Sequence, residues 1–184
     1  MSIENFPTWN RLVALASRLA VQFSCSPGSV WGQLGLYLYI PPKNHRRCIA
    51  PSNITEFARS GGDSVEFSFI GSVSESSPIL MNVPCSDERN VIVGENLLDF
   101  LSLGCLDGFF GLEQLVYQYD QYTRALDNQA ESNVMPQLSH EPALDKKQKT
   151  VLSALRSEFQ LNPWTDHHAH LQELKRKHFE KLIF

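Results

Sequence analysis

The sequence lacks the short motifs that mark the common catalytic sites. It contains no GxxxxGK[ST] or GxGxxG phosphate loop, no GxSxG nucleophile motif and no HExxH zinc motif. Its four cysteines include no CxxC pair and none with a histidine partner in a known motif. These absences leave an enzymatic function without support, and they predict neither a cofactor nor a bound metal ion.

Long apolar runs are also missing. The run from Leu12 to Phe23 is interrupted by Arg18, is too short to span a bilayer and does not resemble the core of a signal peptide. The scattered cysteines fit reduced, mostly buried thiols. Together these features predict a cytoplasmic protein that does not enter a membrane.

Basic residues are scarce in the middle of the chain. Between Pro51 and Asp120 only Arg59 and Arg89 oppose eleven carboxylates, which gives this segment a net charge of −9. The whole chain carries −4, which divides into −7 for residues 1–141 and +3 for residues 142–184. An acidic body repels phosphate backbones, so this pattern argues against a nucleic-acid-binding protein.

The apolar residues that are present follow regular spacings. Helical spacing predicts a helix over residues 7–23, which Pro7 can begin because a proline in the first turn loses no hydrogen bond. Alternation predicts a strand over residues 34–40 that ends at the Pro41-Pro42 pair. Further strands are predicted at the following places: residues 57–59 and 65–70 around a Gly61-Gly62 hairpin turn, residues 79–83, and the wholly apolar residues 91–93 in the sheet interior.

Helices dominate the second half. A largely apolar helix of about ten residues is predicted from Asn96, and another runs from Phe110 to Leu126. The polar residues 127–141 are predicted to be a linker or mobile loop, and residues 142–184 a helical extension that packs on the domain. Nine apolar residues are predicted to share one core: Val65, Phe67, Phe69, Ile79, Met81, Val83, Leu97, Leu101 and Leu115.

Histidines and carboxylates are the candidates for chemistry. His167 and His170 lie three residues apart on a predicted helix and could reach one metal ion, but no third ligand of known spacing accompanies them. We interpret them as part of a surface helix. Asp63 fits turn chemistry, and Glu95 fits a favourable charge at a helix N-terminus.

Residues 57–69, FARSGGDSVEFSF, resemble the PFA-x-x-GGD hairpin of the SUKH superfamily. This group includes the fungal Smi/Knr-type cell-wall regulators and many bacterial toxin-immunity proteins. Residues 77–79, 91–93 and 96–101 are similar to its later strands and helix in the same order. The likeness covers about residues 50–118. The family's opening LP…Y…NGG segment has no recognisable counterpart here.

The resemblance implies an α+β domain over residues 1–126, with a curved, mostly antiparallel sheet packed against helices and no catalysis. It implies an immunity protein that binds and neutralises a cognate toxin domain, often a nuclease. A nuclease presents a basic cleft, and an acidic surface would be steered to it. We expect this partner, a protein and not a nucleic acid or a membrane, to contact the following carboxylates: Asp63, Glu66, Glu75, Asp87 and Glu88.

Other functions stay open. The fungal relatives suggest a regulatory scaffold with a cellular partner. A hydrolase or metal-dependent enzyme would use His167, His170 and a carboxylate. The acidic segment is also compatible with an ordinary solvated face that binds nothing.

Overall fold

The computed structural model describes residues 6–44, 50–62, 64–132 and 144–184, and it has the predicted α+β architecture. The strands are β1 (Tyr37–Lys43), β2 (Ile54–Arg59), β3 (Glu66–Ile70), β4 (Ile79–Asn82) and β5 (Asn90–Gly94). They form one open antiparallel sheet whose spatial order follows the chain. The helices are α1 (Pro7–Phe23), α2 (Leu97–Leu103), α3 (Gln114–Tyr117), α4 (Tyr119–Ser132), α5 (Lys146–Phe159) and α6 (His167–His178).

Helix α1 has the predicted bounds and buries its apolar stripe against the sheet. The rings of Phe6 and Trp9 pack edge-on against Phe69 of β3, with centroids 5.3 and 6.2 Å away. Such aromatic contacts add to the free energy of simple area burial. The helix ends at Ser24, which has a left-handed φ of 51° and donates its N–H to the carbonyl of Ala20.

Strand β1 differs from its prediction at both ends. Residues 32–34 form a 3-10 turn, and the strand begins at Tyr37 and runs through Pro41 and Pro42 to Lys43. A proline lacks the N–H that an interior strand must donate, but β1 is an outermost strand, where this loss is tolerated. The prolines also protect this sheet edge from pairing with another chain.

The glycine-rich turn joins β2 to β3 as predicted. Gly61 has a φ of +87°, and a Cβ atom there would lie 2.3 Å from the ring of Tyr37. Glycine is therefore required both by the backbone conformation and by the close approach of β1. Asp63, in the same turn, lies outside the described residues.

Both faces of the central strands are buried. Phe67 and Phe69 belong to the aromatic core. The opposite face carries polar side chains, because Glu66 is 5% exposed and lies across from Asn82, which is 1% exposed. The alternation in β3 therefore separates an apolar face from a polar one, but both are covered.

Strand β5 is the second outermost strand, so its prediction as an interior strand is wrong. Its burial comes from α2 and α6, which pack beside it. Helix α2 begins after Asn96, whose side chain accepts the N–H of Asp99 at 3.0 Å. The helix has seven residues rather than about ten, because the chain turns at Gly104, which lies against the ring of Phe109.

The predicted linker is partly helical. Residues 127–132 belong to α4, so the linker prediction is wrong for them, while residues 133–141 lie outside the described residues. The inward face of α4 continues to Gln129, which is buried despite its polarity. Helix α5 is tied to the body of the protein by Trp31, whose Nε1 donates to the carbonyl of Val151 at 3.1 Å.

The nine residues predicted to share a core are all buried in one cluster. Its centre is the ring of Phe100, which packs 5.6 Å from Phe57 and 4.9 Å from both Phe67 and Phe109. Within the described parts of the chain, no helix combines the length and apolar character needed to cross a bilayer.

Candidate functional site

The carboxylates expected to contact a partner fall into different environments. Glu66 is buried on the polar face of the sheet, so it cannot contact a partner as an exposed side chain. Asp63 lies outside the described residues. Glu75, Asp87 and Glu88 lie in exposed loops, as predicted. Of these three side chains, only Asp87 and Glu88 form no ion pair or hydrogen bond with another described residue.

Glu75 is part of the fold. Its Oε1 accepts the N–H of Thr8 at 2.7 Å, and its Oε2 accepts the hydroxyl of Thr8 at 2.6 Å. Thr8 lies in the first turn of α1, where Phe6 at the N-cap provides no side-chain hydrogen bond. The carboxylate therefore satisfies an unpaired N–H and faces the positive end of the helix dipole.

Two further carboxylates hold the C-terminal helix. Asp99 accepts hydrogen bonds from Nε1 of Trp164 at 2.9 Å and from the N–H of Glu95 at 2.8 Å, and lies 3.0 Å from Nε2 of His170. Glu95 forms an ion pair with Lys177 at 3.2 Å. These two of the eleven carboxylates between residues 51 and 120 are therefore engaged in contacts within the fold.

His167 and His170 attach α6 to the rest of the protein. Nδ1 of His167 lies 2.6 Å from Oδ1 of Asp127 in α4, whereas His170 faces Asp99 at the start of α2. The two imidazoles thus have separate carboxylate partners. Among the described residues, no three histidine, cysteine, aspartate or glutamate side chains are grouped so that they could hold a metal ion.

Burial lowers the pKa of two histidines of α6, His167 and His178. It lowers the pKa of His167 in spite of the adjacent Asp127. It also lowers the pKa of His178, with help from the charge of Lys181, whose Nζ donates to Nδ1 of His178 at 2.9 Å. Burial would raise the pKa of Glu95, but the hydrogen bond and charge of Lys177 outweigh it and lower that pKa.

Acidification should therefore destabilise the protein. A histidine whose folded pKa lies below the unfolded value of 6.5 binds a proton more readily in the unfolded chain, so the free energy of unfolding falls as pH drops through 6.5. We expect a lower urea midpoint at about pH 5.5 than at about pH 8. The His167→Gln/His178→Gln variant should show a flatter dependence, whereas His168→Gln, at an exposed position, should keep it. A midpoint that rises on acidification would contradict this assignment.

Three exposed carboxylates meet at one groove between the β4–β5 turn and α6. We call it the acidic groove; it encloses about 570 Å³ and carries Asp87, Glu88 and Asp120. None of these three side chains forms an ion pair or a hydrogen bond with another described residue. Their charges therefore face solvent without a direct partner in the described part of the chain.

The walls of the acidic groove are held in place by local contacts. The β4–β5 turn is closed by the N–H of Val83, which donates to the carbonyl of Arg89 at 2.7 Å. On the opposite wall, Nε2 of Gln172 donates to the hydroxyl of Tyr119 at 3.2 Å. Phe179, 38% exposed, lines the same groove.

Two cations also belong to the groove lining, Arg89 and Lys175. Nε of Arg89 donates to the carbonyl of Ser86 at 2.9 Å, and Nζ of Lys175 lies 5.8 Å from the ring centre of Phe179. The groove therefore mixes three carboxylates with two cations and an aromatic ring, a composition suited to charged and aromatic side chains of a protein partner.

Sequence reasoning identified one wall of this groove and missed the other. Asp87 and Glu88 could be identified from the sequence because they lie in a polar loop between two predicted strands. Asp120 and Lys175 were missed, because nothing in a single sequence shows that α4 and α6 lie beside the β4–β5 turn. The sequence contains one signal for Asp120: the residue lies outside the apolar stripe of its helix, which predicts an exposed side chain.

The fold and the groove define an α+β protein with an exposed, mixed-charge acidic groove. In comparisons with known proteins, no family model, no curated protein and no solved structure matches this chain.

Proposed function

We propose that this chain is a non-catalytic binding protein that captures a basic protein partner in the acidic groove. One observation carries the proposal: three exposed carboxylates of the acidic segment that have no ion pair or side-chain hydrogen bond with another described residue, Asp87, Glu88 and Asp120, line a single groove. Carboxylates elsewhere in the acidic segment, such as Glu75 and Asp99, hold helices in place.

The resemblance to the SUKH superfamily gives the partner its class: a cognate toxin domain, of the nuclease type, that the chain neutralises as an immunity protein. A nuclease carries a basic cleft for phosphate, so the groove carboxylates would raise the association rate and compete with the nucleic acid. The cations Arg89 and Lys175 would require matching acceptors on the partner, which would add specificity.

The test removes the groove charge without disturbing the fold. We expect the Asp87→Asn/Glu88→Gln/Asp120→Asn variant to retain its stability, since exposed substitutions usually change it by less than about 0.5 kcal/mol. Its association with the toxin domain encoded by the neighbouring gene should slow by roughly tenfold or more at low salt. The wild-type rate should fall steeply with salt, and the rate of the variant should not.

A matched control separates groove charge from net charge. The Ala14→Lys/Val21→Lys/Gln22→Lys variant changes the net charge by the same amount, at exposed positions of α1 that do not line the groove. It should associate nearly as fast as wild type and protect cells fully. Equal association rates for the groove variant and wild type, with full protection by both, would exclude the acidic groove as the contact.

A further inference from the structure

A second cavity lies on the other side of α4, between this helix and the 103–114 segment. It encloses about 280 Å³. Its apolar part includes Leu103, Leu112 and Leu126, which are all buried, and Phe110, 43% exposed, is part of its lining. The acidic groove uses Tyr119 and Asp120, whereas this α4 cavity uses residues from other turns and faces of the same helix.

The polar part of the α4 cavity contains two deeply buried groups. His167 is 2% exposed, and its Nδ1 is occupied by Asp127, which leaves Nε2 as the acceptor of the neutral ring. Gln129 is 4% exposed and supplies an amide, which is both a donor and an acceptor. Both side chains line the cavity, and polar groups at a cavity wall favour a ligand that can bond to them over one that cannot.

The charge of the lining restricts the ligand further. Asp107 and Glu113 lie on it, and no lysine or arginine is among the described residues that form it. An anionic ligand would therefore find no cationic partner. A neutral ligand with an O–H or N–H donor can bond to Nε2 of His167 or to the amide oxygen of Gln129, whereas a ligand that offers only acceptors cannot bond to that nitrogen.

The size of the α4 cavity fits a substituted aromatic ring. A cavity of about 150 Å³ lined by apolar side chains holds benzene. The present cavity, about 280 Å³, therefore has room for a ring with substituents or for a bicyclic ring. The exposed ring of Phe110 offers an aromatic neighbour at the lining, and aromatic pairs are mutually favourable.

We propose that the α4 cavity is a binding site for an aromatic ring that carries a hydrogen-bond donor, namely a phenol or an indole. The ring packs on the leucines, and its O–H or N–H donates to Nε2 of His167 or to the amide oxygen of Gln129. This site is separate from the acidic groove, and its existence does not depend on the proposed immunity function.

The test uses the full chain with p-cresol and 3-methylindole as probes and toluene as the probe without a donor. We expect saturable shifts of the backbone amide NMR signals of Leu112, Tyr122 and Gln129 with the first two probes. Toluene should bind about fivefold more weakly, the typical effect of one hydrogen bond. The Nε2 nitrogen signal of His167 or the side-chain amide signals of Gln129 should move with p-cresol and stay in place with toluene.

Two variants locate the binding. Gln121 lies on the lining but is exposed, so Gln121→Trp should close the cavity without unfolding the protein and should abolish the shifts. Gln22→Trp, at an exposed position of α1, should leave them unchanged. Unsaturable titrations, shifts that map outside the cavity, or toluene binding as tightly as p-cresol would each overturn the proposal.

The same titration distinguishes a free small molecule from a side chain of a partner protein. N-acetyltyrosinamide and N-acetyltryptophanamide carry the two rings on a peptide backbone. If they bind as tightly as p-cresol and 3-methylindole, the cavity accepts tyrosine or tryptophan from a partner. If only the free rings bind, the natural ligand is a small phenol or indole.

Discussion

Leu101→Ala should lower the free energy of unfolding by about 2–5 kcal/mol. Leu101 is fully buried in α2 and belongs to the cluster that surrounds the ring of Phe100. Removing its side chain leaves a cavity that packed neighbours can fill only in part. Urea unfolding should show this loss as a lower midpoint with little change in the slope.

Leu98→Ala is the matched control, because the same substitution is made three residues earlier on the same helix. Leu98 is 38% exposed, so its truncation should cost clearly less than that of Leu101. Equal midpoints for the Leu101→Ala variant and wild type would mean that α2 does not lie on the sheet as described.

Much of this core could be predicted from the sequence. Apolar residues in α1 repeat with helical spacing, and those in β3 and β4 alternate, so each pattern identifies one face of one element. The Gly61-Gly62 pair marked the hairpin turn because few other residues adopt its backbone conformation. These signals are local, and they predict the fold correctly because the tertiary contacts stabilise the same local structure.

Other features depend on what lies beside an element, which a local pattern does not contain. Pro41 and Pro42 are tolerated in β1 because none of the described strands pairs with its outer edge. Residues 91–93 of β5 are wholly apolar because helices cover them, although β5 is an outermost strand. Glu66 was expected to contact a partner because it lies beside the Gly61-Gly62 turn, yet the polar face of the sheet is buried as well.

The candidate site likewise combines residues that a local pattern identifies with residues that only tertiary packing brings together. Loop position was enough to identify Asp87 and Glu88, whereas Asp120 joins them only through the packing of α4 near the β4–β5 turn. Composition alone gave the acidic segment a net charge of −9. It could not show which of these charges are engaged in helix contacts, as Glu95 and Asp99 are.

Glu75→Ala should destabilise the protein by about 2 kcal/mol, although the residue lies in an exposed loop. Both carboxylate oxygens of Glu75 bond to Thr8, so the variant leaves the first turn of α1 without a cap. The loop presents Glu75 in this position through its serines, since Ser77 Oγ accepts the N–H of Ser74 at 2.8 Å. The measurement is the urea midpoint of the variant against that of wild type.

Asp87→Ala is the control for the loss of one loop carboxylate, and it should change stability by less than about 0.5 kcal/mol. A large effect at Glu75 with none at Asp87 would show that Glu75 acts through the helix terminus and not through the net charge. The same result would exclude Glu75 from any charge-reversal test of partner binding. A variant that combined Glu75→Lys with changes at Asp87 and Glu88 would lose stability and binding together, and the two causes could not be separated. Equal, small effects at Glu75 and Asp87 would contradict the bond to Thr8 and return Glu75 to the set of exposed carboxylates that a partner can contact.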